Sequence, residues 1–246
     1  MKKSQISVLS AFAFIVLLMF VAAVSGRIIL SRVGATSIDQ AEAASSRNTE
    51  LVLDELVGFG SVDVRGTWQV TLVRGSNWDV ELVYPEDLED PVDVRVEDGR
   101  LILGNGGRDE RWWRGFGGGR GRFAANIVMP MLAGIEVSGA SAVLEFMGFD
   151  GDTLAISISG AAAITGRDGH YDRLSLDVSG ASAVNLRDVS VDDAEVNLAG
   201  ASEVNLRMNG GVLSGSLSGV GGINYHGSVS EERVSVSGFG KVSRVD

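Results

Sequence analysis

Apolar and polar residues alternate in short segments along most of the chain after residue 57. The run Val92-Asp93-Val94-Arg95-Val96 is a clear example, and Val70-Thr71-Leu72 is another. A period of two is typical of strands with one buried face, whereas an amphipathic helix repeats every 3.6 residues. The pattern therefore predicts an all-β fold.

A repeat of about twenty residues organises the C-terminal half. Segments such as VSGASAVNLR, starting at Val178, and LAGASEVNLR, starting at Leu198, recur six times. The third residue of every segment is a glycine, and these are Gly139, Gly160, Gly180, Gly200, Gly219 and Gly238. Glycine reaches positive φ without steric cost, which predicts a sharp turn at each of these positions.

Equivalent positions of the repeats carry similar side chains. Two places before each glycine stand Val137, Ile158, Val178, Leu198, Leu217 and Val236. Five places after it, Asn185, Asn205 and Asn224 form a second column, which predicts a structural ladder of amides. Residues one repeat apart are therefore expected to be neighbours, stacked about 4.8 Å apart. The interpretation is a single-stranded parallel β-helix, a solenoid with about 20 residues per coil.

The N-terminus has the pattern of an export signal. Lys2 and Lys3 precede an apolar run from Val8 to Val24. Residues 1–25 are interpreted as a signal peptide or, alternatively, as a signal-anchor helix that holds the chain in the membrane. Either way the remainder is exported to the periplasm or the cell surface, anchored or free. Residues 26–56 are interpreted as a linker and 57–246 as the β-helix domain.

Composition excludes several classes of function. The net charge is -11, which argues against nucleic acid as a partner, because binding phosphates needs a cationic surface. The chain has no cysteine and two histidines, so disulfides and thiolate sites are excluded and no metal or other cofactor is expected.

A loop rich in glycine, arginine and tryptophan interrupts the strand pattern at residues 104–122. Its centre, Arg111-Trp112-Trp113-Arg114, combines the two residue types most enriched at binding hot spots. It is a candidate site for a glycan, a surface protein or a second copy of the chain. The alternative is an insertion whose aromatic side chains pack on a neighbouring sheet.

A basic column stands seven places after the repeat glycines, at Arg167, Arg187 and Arg207, followed by His226. Stacked guanidinium groups could bind an anionic polymer such as an acidic polysaccharide. The alternative is that the neighbouring Asp168 and Asp188 neutralise a solvated surface.

Catalysis would need converging carboxylates or a carboxylate with a base. Asp168, Asp188 and His170 are the candidates, but the aspartate column stops at Met208, and no nucleophile elbow, P-loop or HExxH motif occurs.

The repeats resemble the bacterial GIN-domain family, described as a putative auto-transporter adhesin head. The resemblance rests on Ser138-Gly139-Ala140 and its two successors, on Gly222-Ile223-Asn224, and on the upstream Asp98-Gly99-Arg100-Leu101. It extends from about Val57 to the C-terminus. It implies a right-handed, pectin-lyase-like β-helix outside the cytoplasm, an adhesion role and no catalytic residues.

Together these observations predict a non-catalytic exported domain for surface binding or adhesion. Two alternatives stay open: a β-helix carbohydrate-active enzyme, either lyase or hydrolase, and a periplasmic structural or assembly module that oligomerises through the aromatic loop.

Overall fold

The computed structural model describes residues 48–85, 92–105 and 123–245, and these form eleven strands of one sheet. The strands are β1 (Asn48–Val52), β2 (Ser61–Arg65), β3 (Gln69–Arg74), β4 (Asp79–Pro85), β5 (Asp93–Glu97), β6 (Arg100–Gly104), β7 (Ala124–Met129), β8 (Gly134–Met147), β9 (Asp150–Asn209), β10 (Val212–Ser228) and β11 (Glu231–Arg244).

The prediction of a single-stranded parallel β-helix with an N-terminal anchor helix is wrong. The all-β class is correct, but the sheet is a curled half-barrel of mixed parallel and antiparallel strands. Three pairs are antiparallel: β1 with β4, β4 with β7, and β5 with β6. No helix occurs in the described ranges, and none there could cross a membrane. Residues 1–25, to which the anchor helix was assigned, lie outside the described part.

Turn chemistry explains part of the error. Asp98 and Gly99 join β5 to β6 and both have positive φ, 50° and 72°. Two such residues form the tight turn that suits a hairpin, and a hairpin makes its strands antiparallel. Alternation alone predicts strands but does not reveal their direction.

Strands β8 to β11 pair in parallel, at the offsets of the sequence repeat. Val137 lies beside Ile158, Leu198 beside Leu217, and Leu217 beside Val236. The repeat glycines also pair with one another, as Gly139 does with Gly160 and Gly219 does with Gly238. The predicted neighbours across these strands are therefore found, within a sheet of different overall architecture.

The glycine column is required by contact as well as by conformation. Gly180 has a φ of +133°, and a Cβ there would lie 2.0 Å from the carbonyl oxygen of Gly160. Real Cβ atoms essentially never approach an oxygen so closely. The turns of successive repeats are therefore stacked too tightly for any side chain.

The sheet curls around a single hydrophobic core. In the repeat stack the core consists of aliphatic columns, for example Val178, Leu198 and Leu217, each exposed by 3% or less. The upstream strands contribute larger side chains, including the fully buried Trp68 and Phe59. Strand β1 lies within residues 26–56, the segment interpreted as a linker, and pairs with β4.

Candidate functional site

A shallow, open groove of about 310 Å³ crosses the outer surface of the repeat stack. Its polar lining comes from the positions one and three places before the repeat glycines. These positions alternate with the buried core residues along each strand, so their side chains point outward. We call this surface the polar groove, and its polar and small lining residues are Ser157, Ser159, Asp177, Ser179, Asn197, Ala199, Ser216 and Ser218.

A hydrogen-bond ladder orders one side of the polar groove. The Asn197 amide donates from Nδ2 to Oδ1 of Asp177 at 3.1 Å, and its own Oδ1 accepts from the Ser216 hydroxyl at 2.9 Å. Each rung comes from a successive repeat, so neighbouring rungs are about 4.8 Å apart. The arrangement holds donors and acceptors in fixed positions with one negative charge and no positive charge among the lining residues.

The polar groove is not among the sites predicted from the sequence. Its signal was present, because the position three places before each glycine is always polar: Glu136, Ser157, Asp177, Asn197, Ser216 and Ser235. The identities differ from repeat to repeat, so the column is less visible than the uniform arginine column.

The three predicted arginines occupy one outward column but do not act alike. Arg167 lies 3.8 Å from a carboxylate oxygen of Glu145. Arg207 folds back on the stack, and its Nε donates to the main-chain carbonyl of Arg187 at 2.8 Å. The backbone amide of Arg187 itself donates to Asn185. Two of the three guanidinium groups are therefore engaged within the protein.

The predicted asparagine ladder is present in part. The Asn224 amide donates to Oδ1 of Asn205 at 3.3 Å and to Glu203 at 3.2 Å. Asn185 instead accepts from the backbone two residues ahead. The hydrogen bonds of these asparagines are therefore made within the protein, which agrees with the structural role predicted for this column.

The loop residues Arg111, Trp112, Trp113 and Arg114 lie outside the described part of the chain. Their assignment as a binding site therefore stays a prediction.

Of the candidate acid–base residues, Asp168 and Asp188 are exposed, and His170 is grouped with two other aspartates. His170 lies near Asp172, with its Nε2 3.4 Å from a carboxylate oxygen, and these groups cluster with Asp192 within 4.8 Å. Asp192 also accepts a hydrogen bond from Asn209 at 2.8 Å. The His170 and Asp172 side chains are 43% and 66% exposed, so water competes for every polar atom of this cluster. We assign neither an ion nor an acid–base role to it.

A second carboxyl pair, which the sequence analysis missed, joins β1 to β4. A hydrogen bond with Glu81 and the nearby Glu81 charge raise the pKa of Glu50. The pKa of Glu81 is lowered by the hydrogen bond from Glu50 and by a second one from Asn126. The pair lies at the surface, and only the folded sheet brings residues 50 and 81 together.

Comparison with known proteins identifies the family. The sequence matches the family described as "Putative auto-transporter adhesin, head GIN domain" over residues 58–229 and again over residues 175–244. The chain belongs to this family. The resemblance seen in the SGA turns is therefore confirmed, and the GIN domain covers most of the chain.

Solved structures share the fold of this GIN domain. One is a putative adhesin from Bacteroides fragilis, 16% identical, with a TM-score of 0.59 over 82% of this chain and 98% of that one. Another is a putative adhesin from Parabacteroides distasonis, 14% identical, with a TM-score of 0.50 and the same coverages. No curated protein matches the sequence.

Proposed function

We propose that this chain is a non-catalytic binding head, exported by a bacterium, that holds a hydroxyl-rich glycan in the polar groove. The observation that carries the proposal is the ladder of Asp177, Asn197 and Ser216 along an open groove on the repeat stack. The family description as an adhesin head supports a binding role.

The chemistry of the polar groove favours a neutral ligand with many hydroxyl groups. Serine hydroxyls both donate and accept, so the serines outside the ladder can pair with ligand hydroxyls in either sense. Within the ladder, Ser216 donates its proton to Asn197 and keeps its oxygen as an acceptor. A phosphate or sulfate would need positive charge, and the groove lining supplies only the negative charge of Asp177. Rungs repeating about every 4.8 Å can engage successive units of a polymer.

A non-catalytic role is supported by the exposure of the acid–base candidates. Acid–base catalysis needs groups that converge on one enclosed site, whereas Asp168 and Asp188 are exposed and the His170 side chain is 43% exposed. Export is supported by the family and by the apolar run from Val8 to Val24 behind two lysines.

A glycan array probed with the wild-type protein tests the proposal. Ser179 and Ala181 flank Gly180 and are both exposed, but they lie on different outer surfaces. We expect Ser179→Trp, which fills the polar groove, to weaken binding of the array hits at least tenfold, a loss of about 1.4 kcal/mol. Ala181→Trp is the matched control and should bind as the wild type does.

Three results would contradict the proposal. The array could show no hit, the two tryptophan variants could bind equally well, or the protein could turn over the glycan it binds. Binding that falls with salt and with Arg187→Ala, while Ser179→Trp has no effect, would move the site to the arginine column.

A further inference from the structure

The last strand of the stack, β11, has one free edge. It pairs with β10 and with no other strand of the described chain. The sheet ends in two other edge strands, β1 and β5, but each is five residues long, whereas β11 has fourteen. Long unpaired edges are templates for pairing with another chain.

The core is also open at β11. Val137, Ile158, Val178, Leu198 and Leu217 are each exposed by 3% or less, yet Val236, the next residue of the same column, is 44% exposed. Phe239 is 72% exposed, more than any other large apolar side chain in the described ranges. The aliphatic column therefore ends at an uncovered surface.

The edge strand β5 carries alternating charges. Strand β5 alternates Asp93, Arg95 and Glu97, with Arg95 paired to both acids. Alternating charges of this kind discourage edge-to-edge pairing. The central segment of β11, residues 234–240, contains no charged residue.

We propose that β11 pairs with β11 of a second copy, antiparallel, about a twofold axis through Gly238. The basis is the symmetry of the repeat: around Gly200, the buried positions are four and two before it and two and four after it, namely Val196, Leu198, Ser202 and Val204. Reversing such a strand about its central glycine keeps every buried position on the core side.

The same axis matches the side chains of β11. Val234 falls opposite Val242, and Val236 falls opposite Gly240, where the Leu217 side chain already fills the space a Cβ would take. The chain bends at Gly238, where φ is +123°. A twofold axis through this bend therefore places residues 232–237 of each copy beside residues 239–244 of the other. If β11 paired instead with β1 or β5 of a second copy, the contact would use a strand of only five residues. Such a contact joins different surfaces of the two copies, so it would not form a closed dimer.

The charges at the two ends of β11 are complementary in this register. Glu232 falls opposite Arg244, twice in each dimer, while Arg233 faces Ser243 and Lys241 faces Ser235. No like charges meet. The strand carries two acidic and three basic residues, so it is slightly positive in a chain of net charge -11.

Sedimentation equilibrium of the full chain tests the dimer. We expect the wild type to be dimeric, and Val236→Lys to raise the dissociation constant at least tenfold, because it places a charge against the partner's apolar arm. Glu232 also accepts a hydrogen bond from Tyr225 of its own chain, so the charge exchange is made between chains. Glu232→Arg and Arg244→Glu should each weaken the dimer, and an equimolar mixture of the two variants should restore it, because opposite charges then face each other across the axis. Glu97→Arg on β5 is the control that should change nothing.

The absence of native cysteine makes the register directly testable. Ser235→Cys mixed with Lys241→Cys should cross-link under mild oxidation, since these residues face each other across the axis. Ser235→Cys mixed with Ser243→Cys should not. A monomeric wild type, no recovery in the mixture of Glu232→Arg with Arg244→Glu, or cross-linking only in the second cysteine mixture would overturn the proposal. Protection of the β11 amides from hydrogen exchange in a monomer would overturn it too.

Discussion

The two halves of the sheet obtain their register in different ways. Strands β8 to β11 are held by near-identical neighbours, glycine on glycine and aliphatic on aliphatic. The segments between β1 and β7 contain individually fitted groups, such as Trp78, whose indole Nε1 donates to the Phe59 carbonyl at 2.8 Å. Trp68 packs edge-on against Phe123 at 5.3 Å.

The upstream half also holds a buried charge. Asp63 on β2 is only 2% exposed, and Arg65 donates to the same carboxylate oxygen from Nε at 3.0 Å and from the guanidinium end at 2.6 Å. In the stack, the exposed pair of Arg233 and Glu231 lies at the surface of β11. A periodic sequence therefore builds register by repetition, and an aperiodic one builds it from unique contacts.

The largest expected effect comes from a glycine of the column. Gly180→Ala should lower the free energy of unfolding by about 4 kcal/mol, because the new Cβ meets the Gly160 carbonyl and φ is unfavourable. Gly58→Ala, at φ +78° with no atom within 4 Å of its Cβ, should cost only about 1.5 kcal/mol. Urea unfolding of both variants measures the difference, and equal losses would show that stacking contact is not what demands glycine.

A second prediction compares two valines of one column. Val178→Ala removes a buried side chain and should cost about 2.5 kcal/mol. Val236→Ala, at 44% exposure, should cost less than about 0.5 kcal/mol at concentrations that keep the chain monomeric. Thermal or urea unfolding distinguishes them, and a large loss at Val236 in the monomer would mean that another part of the chain covers β11.

A smaller effect than the loss at Val178 concerns the junction of the two halves. Tyr171 of β9 donates its hydroxyl to the carbonyl of Leu132, between β7 and β8, at 3.0 Å, and burial raises its pKa well above the ordinary value. The unfolded chain ionises near pH 10 while the folded one stays neutral. The stabilisation from the raised pKa is therefore complete below about pH 10 and is lost as the pH rises further.

Tyr171→Phe checks this pH dependence. It should cost about 1 kcal/mol at neutral pH through the lost hydrogen bond. It should also flatten the decline of stability above pH 10, where the wild type loses up to about 1.4 kcal/mol per pH unit from this group. Parallel alkaline slopes for the two proteins would show that Tyr171 ionises equally well in both states.

The register of the strands could be predicted from the sequence in the region where the twenty-residue repeat occurs. The offset that pairs Leu198 with Leu217 could be read from the glycine spacing, because a stacked repeat makes sequence period and spatial neighbour the same quantity. The family followed from the same turns. Asp98-Gly99 has the residue types of a hairpin turn, and this turn makes β5 and β6 antiparallel, which the alternation pattern alone does not predict.

The candidate site was less predictable. The arginine column was seen, but the contact of Arg207 with the Arg187 carbonyl depends on how a long side chain settles on its neighbour. Glu50 and Glu81 lie on β1 and β4. No local sequence pattern predicts that these two strands pair.

The sequence by itself determined the strands, the turns at glycine and the twenty-residue register of the stack, because those depend on local alternation and on identical neighbours. Only the tertiary structure decided the direction of β1 to β7, the joining of Ser, Asp and Asn from separate repeats into one groove, and the exposure of the last valine of the column. Those features depend on how distant segments of the chain pack against one another, and the free energy of that packing cannot be read from any single segment.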